Sequence, residues 1–318
     1  MFLEQVSIDG FKSYATETLV AFKSGIAVVV GNNGVGKSNI LDAVTWALGE
    51  NNLDRLRIGG WEDLLFGGTR EYPPATAARV TLLVKHGAAQ DAPGTSIARV
   101  KYRSGAECYL VGEKEYGFPS FLQELAAMGL RDAVQTLVRQ ERINELIGLA
   151  PRERAAHVAG LLGSLERIGE VARDFQNFLQ VLVPQGTATL ILTEGSGDPE
   201  LVVEASLGKQ IRNAAALSGG ERSVCSLALT LALFARLNSP FYLLDEVEAS
   251  LDWTNHKNMQ GLLKLLAREK QLIMVTHLRS TIQLADSLHG VRARKDGSSF
   301  VKYYFEMNER LLKSYKCC

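Results

Sequence analysis

A glycine-rich segment near the amino terminus constrains the fold of this 318-residue chain more than any other feature. Residues 26–30, IAVVV, are apolar on both faces, which is typical of a central strand in a parallel sheet. They lead directly into GNNGVGKS at residues 31–38, which fits G-x-x-x-x-G-K-[ST], and then into apolar residues at helical spacing. The sequence therefore predicts a strand, a phosphate-binding loop and a helix in succession. The candidate binding residues are Asn32, Asn33, Gly34, Val35, Gly36, Lys37, Ser38 and Asn39.

The chemistry of such a loop follows from its backbone. Its amide groups and the unpaired N–H groups at the helix start attract an anion, and the helix dipole adds to this attraction. We expect Lys37 to reach the β- and γ-phosphates of a nucleotide and the Ser38 hydroxyl to bind Mg²⁺. The alternative is a glycine-rich turn that matches the pattern by chance.

Composition places the chain among ordinary globular proteins, since 46% of its residues are hydrophobic and 22% are charged. Lys plus Arg equals Asp plus Glu, 35 of each, so a nucleic-acid contact would need a local basic patch. The four cysteines have neither metal-ligand spacing nor the density of a secreted disulfide scaffold, which favours a reducing, cytoplasmic compartment. We expect no membrane segment, because the apolar stretch at residues 224–235 is too short to span a bilayer.

The rest of the chain divides into blocks of strands and helices. Alternating segments between residues 78 and 116 predict antiparallel strands, residues 118–149 and 161–176 are predicted to be helical, and strands return after Pro184. We therefore predict an α/β fold with a mixed central sheet, an antiparallel β subdomain and two lobes. The expected lobes are residues 1–162 and 179–318, with a junction at 163–178.

Two carboxylates follow a second apolar run, FYLL at residues 241–244. If this strand lies beside the phosphate-binding loop, Asp245 is placed to hold Mg²⁺ and Glu246 to polarise the water that attacks the γ-phosphate. The alternative is a strand end with two solvated acids, which is common.

A second helix start, formed by Ser218, Gly219 and Gly220, precedes the apolar residues 224–235 and offers another phosphate-binding terminus. Two such termini suggest that a nucleotide is sandwiched between the loop of one copy and the Ser218 segment of another, in a two-fold dimer with two nucleotides. Gln140 and His277 stand at plausible sensor positions, although each taken singly also fits an ordinary surface or cap residue.

These motifs, in this order, resemble the ATPase head of the structural maintenance of chromosomes (SMC) family, within the ABC-type ATPases. GFKSY at residues 10–14 is similar to the opening signature of that family, and LRIGGWEDLLFGG at 56–68 to the segment with its R-loop arginine. YRSGAECYLVGEKE resembles its hairpin, VRQERINELIGLAPRER its Q-loop, and ALSGGER the ABC signature. FYLLDEVEASLD resembles the Walker B motif with its D-loop, and VTHLRSTIQLAD the switch-histidine segment.

The resemblance implies a P-loop fold of ABC type and a role for each matching residue. Gln140 would contact Mg²⁺ and the lytic water, Ser218 the γ-phosphate of ATP on the partner head, and His277 would sense the γ-phosphate. Asp252 would belong to the D-loop that crosses the dimer interface. The implied partners are a second head, double-stranded DNA and a kleisin-type subunit, and the implied location is the chromosome or nucleoid.

By the same resemblance, Lys12 and Ser13 would lie near the α-phosphate and sugar. Three departures from the family pattern stand out. Glu141 follows Gln140 where Gly is usual, EVEASLD stands where EVDAALD is usual, and the two halves are joined directly where the family has a long coiled coil and hinge. Either an engineered join or a natural relative without the coil would explain the last departure.

The expected activity is a slow ATPase that depends on dimerisation. A nucleotide-gated binding module, a RecF- or RecN-type repair ATPase and a zinc-hook repair ATPase are alternatives. A transporter ATPase is a further alternative, which the FKSY start and the long segment between Lys37 and Ser218 disfavour.

A local basic stripe is predicted on one strand. Arg99, Lys101 and Arg103 alternate along the chain, so they would project from one face and contact phosphates without reading bases. Arg55 and Arg57 sit in the loop that the SMC family places on its DNA-facing surface. The alternative is that these cations blunt an exposed edge strand.

Overall fold

The computed structural model describes residues 1–87, 92–193, 197–208, 210–251 and 253–306. It divides into two compact units. Unit 1 is Met1–Leu137, Asn238–Asp245 and Ala267–Cys318, and unit 2 is Val138–Leu237 and Glu246–Leu266. Each unit therefore combines segments that are far apart in the chain.

The strands are β1 (Phe2–Asp9), β2 (Thr18–Ala21), β3 (Ile26–Val30), β4 (Ala77–Lys85), β5 (Gly94–Tyr102), β6 (Glu107–Val111), β7 (Lys114–Tyr116), β8 (Leu137–Arg139), β9 (Gly186–Thr193), β10 (Glu200–Leu207), β11 (Arg212–Asn213), β12 (Phe241–Asp245), β13 (Gln271–Val275), β14 (Ser287–Ala293) and β15 (Ser299–Glu306). The helices are α1 (Lys37–Ala47), α2 (Leu53–Leu56), α3 (Phe118–Ala127), α4 (Glu145–Gly148), α5 (Pro151–Leu162), α6 (Ile168–Leu182), α7 (Gly219–Phe234), α8 (Trp253–Leu266) and α9 (Arg279–Ile282).

A mostly parallel sheet in unit 1 places β3 at its centre. β13 and β14 pair with β3 in parallel on its two sides, β12 pairs in parallel with β13, and β15 runs antiparallel to β14. The prediction of a central strand at residues 26–30 is confirmed, and its first four residues are buried. Because the carboxyl ends of parallel strands meet at one edge, the loop after β3, the end of β12 and the segment after β13 come together there.

The second sheet of unit 1 is antiparallel, in the order β2-β1-β4-β5-β6-β7, and is the predicted antiparallel β subdomain. α1 packs against β1, β4 and β5 of this sheet and against β12 of the parallel sheet. Its apolar side chains are buried on all sides, and the Trp46 ring lies 5.4 Å from the Phe11 ring between centroids. The helix that follows the phosphate-binding loop is therefore fixed by the core of unit 1.

Unit 2 combines helices with a small antiparallel sheet in the order β11-β10-β9. α6 packs on α7, α8 and β9 through a stripe of buried apolar residues at helical spacing, among them Val171, Phe175 and Leu179. No helix in the described ranges reaches the length and apolar character that a bilayer span requires.

The prediction of continuous helix over residues 118–149 is wrong in its middle. α3 ends before Gly129, whose φ of 69° is left-handed, and β8 and two short 3₁₀ turns follow before α4 begins.

Candidate functional site

The loop between β3 and α1 has the backbone geometry of an anion-binding concavity. Gly34 and Gly36 have φ angles of 77° and 93°, and α1 begins directly afterwards at Lys37. Left-handed residues in such a loop turn successive N–H groups toward one side. No atom lies within 4 Å of the position that a Cβ on Gly34 would take, and Asn32 and Asn33 before it are exposed. This side of the loop is open to a ligand.

Lys37 is held at the base of this loop. Its Nζ donates to Asn32 O at 3.0 Å and lies 3.1 Å from His277 Nε2, and the residue is only 5% exposed. Because an ammonium group only donates, Nε2 of His277 accepts this bond. The lysine of the phosphate-binding loop and the predicted switch histidine are therefore neighbours.

Ser38 and Asp245 meet although 207 residues separate them, with Ser38 Oγ donating to Asp245 Oδ1 at 2.8 Å. Ser38 lies in the first turn of α1 and Asp245 is the last residue of β12. A hydroxyl and a carboxylate are the hard oxygen ligands that Mg²⁺ prefers. Among the described residues no cluster of His, Cys, Asp or Glu could hold a metal by itself, so a Mg²⁺ here would complete its shell with phosphate and water.

A buried carboxylate beside the loop holds two cations. Asp42 on α1 accepts from Lys12 Nζ at 2.6 Å and from an Arg57 Nη at 2.7 Å. Lys12, Arg57, Ser13 and Asn39 all line a cavity of about 610 Å³. Sequence reasoning missed Asp42, and its signal was an acidic residue between the apolar pairs Ile40–Leu41 and Ala43–Val44 of the helix. Asp42 fixes the positions of two cations at the wall of this cavity.

Gln140 and Glu246 belong to unit 2. Gln140 begins a 3₁₀ turn, Gln140–Arg142, which packs against the turn Val247–Ser250 that follows Glu246. Glu246 has a φ of 52°, a strained conformation that costs about 1–3 kcal/mol and is concentrated at functional sites. Within unit 2 the predicted Q-loop residue and the predicted base therefore stand in neighbouring segments.

Ser218 caps the amino terminus of α7. Its N–H donates to Glu221 Oε2 at 3.1 Å, as in a capping box, and its hydroxyl donates to the same oxygen at 2.7 Å. Ser218, Gly219 and Gly220 are exposed, and both glycines have open space where a Cβ would be. The helix start is therefore accessible. Asp252, the predicted D-loop residue, lies outside the described residues.

Arg154 is a structural residue of unit 2 that sequence reasoning missed. Its buried guanidinium donates to four backbone carbonyls, those of Leu146, Ile147, Leu149 and Leu201, at 2.6–2.9 Å. Burial lowers the pKa of this arginine. It ties the end of α4, a few residues after the Q-loop turn, to β10.

The predicted basic stripe on β5 is wrong for two of its three members. Arg99 is 1% exposed and Lys101 is 8% exposed, because both turn toward Glu107 on β6, at 2.8 and 2.6 Å. Arg99 also donates to the carbonyls of Trp46 and Glu50 at 3.0 Å, at the carboxyl end of α1. A buried, saturated guanidinium has no donor left for a DNA phosphate.

The alternative for these cations, protection of an exposed edge, is also wrong, because β5 lies between β4 and β6. Arg103 is exposed just beyond β5, and the side chains of Arg55 and Arg57 are about one-third exposed. These three remain candidates for a phosphate contact.

A parallel sheet with a glycine loop at the end of its central strand, a Lys37–His277 contact and a Ser38–Asp245 contact define a P-loop nucleotide-binding protein. The family model of the RecF/RecN/SMC N terminal domain matches residues 2–299. The chain therefore belongs to this family, and it has the head fold of SMC proteins, which are ABC-type ATPases.

Solved structures agree with this assignment. The chain is similar to the Smc head bound to the C-winged helix domain of ScpA, with a TM-score of 0.86, 30% identity, and 96% of this chain and 99% of that chain covered. It is also similar to the SMC head domain from Thermotoga maritima, with a TM-score of 0.70, 29% identity, and coverage of 95% and 98%.

Curated relatives are much longer than this chain. The chromosome partition protein Smc of Mycolicibacterium paratuberculosis is 39% identical over 139 residues, which are 43% of this chain and 12% of that protein. The protein of the same name in Mycobacterium tuberculosis is 32% identical over 169 residues, 52% of this chain and 14% of that protein. The match covers a small part of each relative.

Proposed function

We propose that this chain binds ATP with Mg²⁺, pairs head to head with a second copy around two ATP molecules, and hydrolyses them slowly to drive engagement and release in chromosome organisation. The observation that carries the proposal is the Ser38–Asp245 contact at a loop that also holds Lys37 beside His277. A phosphate-binding loop, a lysine and a pair of hard oxygen ligands are the parts that phosphoryl transfer requires. The chromosome partition proteins named above support the chromosomal role.

The nucleotide would be held mainly from unit 1. The N–H groups of residues 33–38 and the Lys37 ammonium would bind the β- and γ-phosphates, while Lys12 and Ser13 would lie near the α-phosphate and sugar. The residues of unit 1 that would hold Mg²⁺ are Ser38 and Asp245. When bound, the ion neutralises phosphate charge and orients its oxygens. The open side of the loop at Gly34 fits a phosphate chain, and the hydroxyl–carboxylate pair fits a hard cation.

Hydrolysis would then depend on assembly. In unit 2, Glu246 would orient the attacking water and accept its proton, and Gln140 would help to place that water. In unit 1, His277 would sense the γ-phosphate beside Lys37. The partner's copy of α7 would bring a helix amino terminus and a hydroxyl to the γ-phosphate, for which the Ser218 proton must turn away from Glu221. A lone head is expected to be nearly inert because it lacks this terminus.

The experiment that tests this function is the ATPase rate per chain as a function of protein concentration. We expect the specific rate to rise with concentration, to vanish in Ser218→Arg, and to remain in Gln185→Arg, which adds the same charge at an exposed position of unit 2. Glu246→Gln should bind ATP and accumulate as a dimer. A rate that is independent of concentration and of Ser218→Arg would overturn the composite site.

ATP hydrolysis distinguishes the proposed ATPase from a nucleotide-gated binding module that only binds ATP. The acidic residue Glu246 directly after Asp245 favours hydrolysis, because a module that only binds does not need a base at that position. ATP-dependent pairing without phosphate release in the unmodified chain would establish the binding module instead. A RecF- or RecN-type repair role would appear as stimulation by DNA ends rather than by closed circular DNA.

We propose double-stranded DNA and a kleisin-type subunit as partners, at a nucleoid-associated, cytoplasmic location. Arg55, Arg57 and Arg103 are the phosphate-contact candidates that remain accessible. Replacing Arg55 and Arg103 by Ala should weaken DNA binding uniformly across sequences. It should also reduce the steepness with which the logarithm of the binding constant falls with the logarithm of salt concentration by about 2. Arg152→Ala, at an exposed residue of unit 2, is the matched control. The relative crystallised with the C-winged helix domain of ScpA supports the kleisin, and co-elution with such a domain tests it.

A further inference from the structure

The outer side of the phosphate-binding loop is held by two hydroxyl groups from outside the motif. Ser299 Oγ, on the first residue of β15, donates to Val35 O at 2.7 Å, and the Tyr14 hydroxyl donates to Gly36 O at 3.0 Å. Both residues are buried, Ser299 to 1% exposure and Tyr14 to 0%. Two successive carbonyls of the loop therefore have fixed partners.

The Ser299 hydroxyl belongs to an ordered hydrogen-bonded row. Asn39 Nδ2 donates to Ser13 Oγ at 2.8 Å, and Ser13 Oγ lies 2.7 Å from Ser299 Oγ. A hydroxyl carries one proton and a carbonyl only accepts, so Ser299 gives its proton to Val35 O and Ser13 gives its own to Ser299. The backbone N–H of Ser299 also donates to Ser13 O at 2.7 Å. The row runs from α1 through Ser13 to Ser299 and ends on the loop.

Because the peptide bond is planar and trans, this row of hydrogen bonds also sets the direction of the N–H groups that follow. The C=O of one residue and the N–H of the next point in opposite directions. Holding Val35 O toward Ser299 therefore turns the N–H of Gly36 away from Ser299. In the same way, holding Gly36 O toward Tyr14 turns the N–H of Lys37 away from Tyr14. These two N–H groups stand at the start of α1, and the amino terminus of a helix attracts an anion.

We propose that Ser299, assisted by Tyr14, is a positioning residue for the phosphate-binding loop: it orients the Val35–Gly36 peptide so that the following N–H groups face the phosphates. This role rests on the proposed function, since it presupposes that the loop binds a nucleotide. It also assigns a task to the last strand of the described chain, which lies outside every motif recognised in the sequence. Ser299 acts through the backbone of the loop and does not touch the nucleotide.

The test is a comparison of two adjacent serines. Ser299→Ala removes the hydroxyl that holds Val35, whereas Ser298→Ala removes an equally buried hydroxyl that bonds to Asp296 Oδ1 at 2.9 Å, away from the loop. Affinities for ATP and for inorganic tripolyphosphate are measured by calorimetry, together with the unliganded melting temperature. We expect Ser299→Ala to weaken both affinities about five- to ten-fold, the effect of one lost hydrogen bond. Ser298→Ala should leave both unchanged at a comparable loss of melting temperature.

Tyr14→Phe provides a second, independent variant, because it removes only the hydroxyl and keeps the buried ring. It should weaken tripolyphosphate binding by a similar factor even if Ser299→Ala does not fold. A merely structural role would lower the melting temperature of both serine variants without separating their affinities, and that result would overturn the proposal. If the unmodified chain bound neither ligand, the proposed function itself would fail; if it bound both and the Ser299→Ala and Tyr14→Phe variants bound equally well, only the positioning role would fail.

Discussion

Ser38 Oγ and Asp245 Oδ1 are hydrogen-bonded at 2.8 Å, so the first turn of α1 and the end of β12 are already joined at the point where a divalent ion is expected. The Ser38 oxygen keeps its lone pairs available while its proton stays directed at Asp245, so both side chains would hold Mg²⁺, directly or through water, without loss of this bond.

Ser38→Ala should therefore uncouple nucleotide binding from Mg²⁺. We expect ATP to bind the variant with the same affinity in the presence and absence of Mg²⁺, whereas the unmodified chain should gain affinity when the ion is added. Calorimetric titration with and without EDTA measures the difference. Ser38→Thr keeps the hydroxyl and serves as the control, and a Mg²⁺ effect that survives in the alanine variant would place the ion elsewhere.

Arg99 is predicted to stabilise unit 1. Its guanidinium bonds to two carbonyls at the end of α1 and to Glu107, and it lies 4.7 Å from the Trp46 ring. Arg99→Met should lower the free energy of unfolding by about 3–5 kcal/mol, because it removes one of the two buried cations that pair with Glu107 and leaves the carbonyls of Trp46 and Glu50 without this donor. Arg103→Ala, at an exposed arginine just past the same strand, should cost under about 1 kcal/mol. Urea denaturation measures both, and equal losses would refute the distinction.

The same cluster predicts a stability change in acid. Burial alone would raise the pKa of Glu107, but hydrogen bonds from Lys101 and Tyr109 and the charge of Arg99 outweigh it and lower the pKa to about 2, against an ordinary value of 4.5. A depressed carboxyl pKa stabilises the fold above pH 4.5 and loses that stabilisation as the pH falls toward 2.

Between pH 6 and pH 3 this group should account for a loss of about 2 kcal/mol in the free energy of unfolding. Glu107→Gln should be less stable than the unmodified chain at pH 6. Its free energy of unfolding should then fall less between pH 6 and pH 3, by the same amount of about 2 kcal/mol. Glu113→Gln, in the exposed turn between β6 and β7, is the control and should keep the full slope. An unaltered slope in Glu107→Gln would contradict the prediction.

Arg154 and Arg152 provide a matched pair on α5. Arg154→Met would leave several buried carbonyls without a donor, and we expect it to lower the free energy of unfolding by about 3 kcal/mol or more. Arg152 makes an exposed ion pair with Glu200 at 2.9 Å, so Arg152→Ala should change the stability by at most about 1 kcal/mol. Differential scanning calorimetry of both variants checks the contrast, which would disappear if the four carbonyls were hydrated in solution.

Two glycines of the loop are predicted to differ in their tolerance of a side chain. A Cβ on Gly36 would lie 2.4 Å from Ser299 Oγ and 2.6 Å from Ser13 Oγ, whereas a Cβ on Gly34 would meet nothing within 4 Å. Both have positive φ, so either alanine should cost about 1 kcal/mol of strain, but only the methyl group of Gly36→Ala would collide with atoms of the unliganded protein. Gly36→Ala should abolish binding, which filter binding of labelled ATP would reveal. Retained binding in Gly36→Ala would show that the side chains of Ser299 and Ser13 can move aside.

Much of the site could be predicted because its motifs are local. The strand, loop and helix around Lys37 depend on neighbouring residues, and the apolar run before Asp245 has the pattern of a buried strand. The contacts of Ser38 with Asp245 and of Lys37 with His277 then follow from parallel strands whose carboxyl ends share an edge.

Burial of charge could not be predicted in the same way. Alternation correctly places Arg99 and Lys101 on one face, but a pattern of period two does not say whether that face meets solvent or α1. The partner that decides it, Glu107, comes from the next strand, and the carbonyls of Trp46 and Glu50 come from α1 and the turn after it, some fifty residues earlier. Ser299 was missed for a related reason, because a lone serine in a C-terminal strand carries no periodic signal.

The position of β3 has a consequence for synthesis on the ribosome. Its two ladder partners, β13 and β14, begin only at Gln271 and Ser287. At translation rates of about 5–20 residues per second, the nascent chain presents β3 and its loop for roughly 10–50 s before either neighbour exists. During that interval the apolar strand has neither ladder partner, and the aspartate and histidine that complete its site have not yet been made.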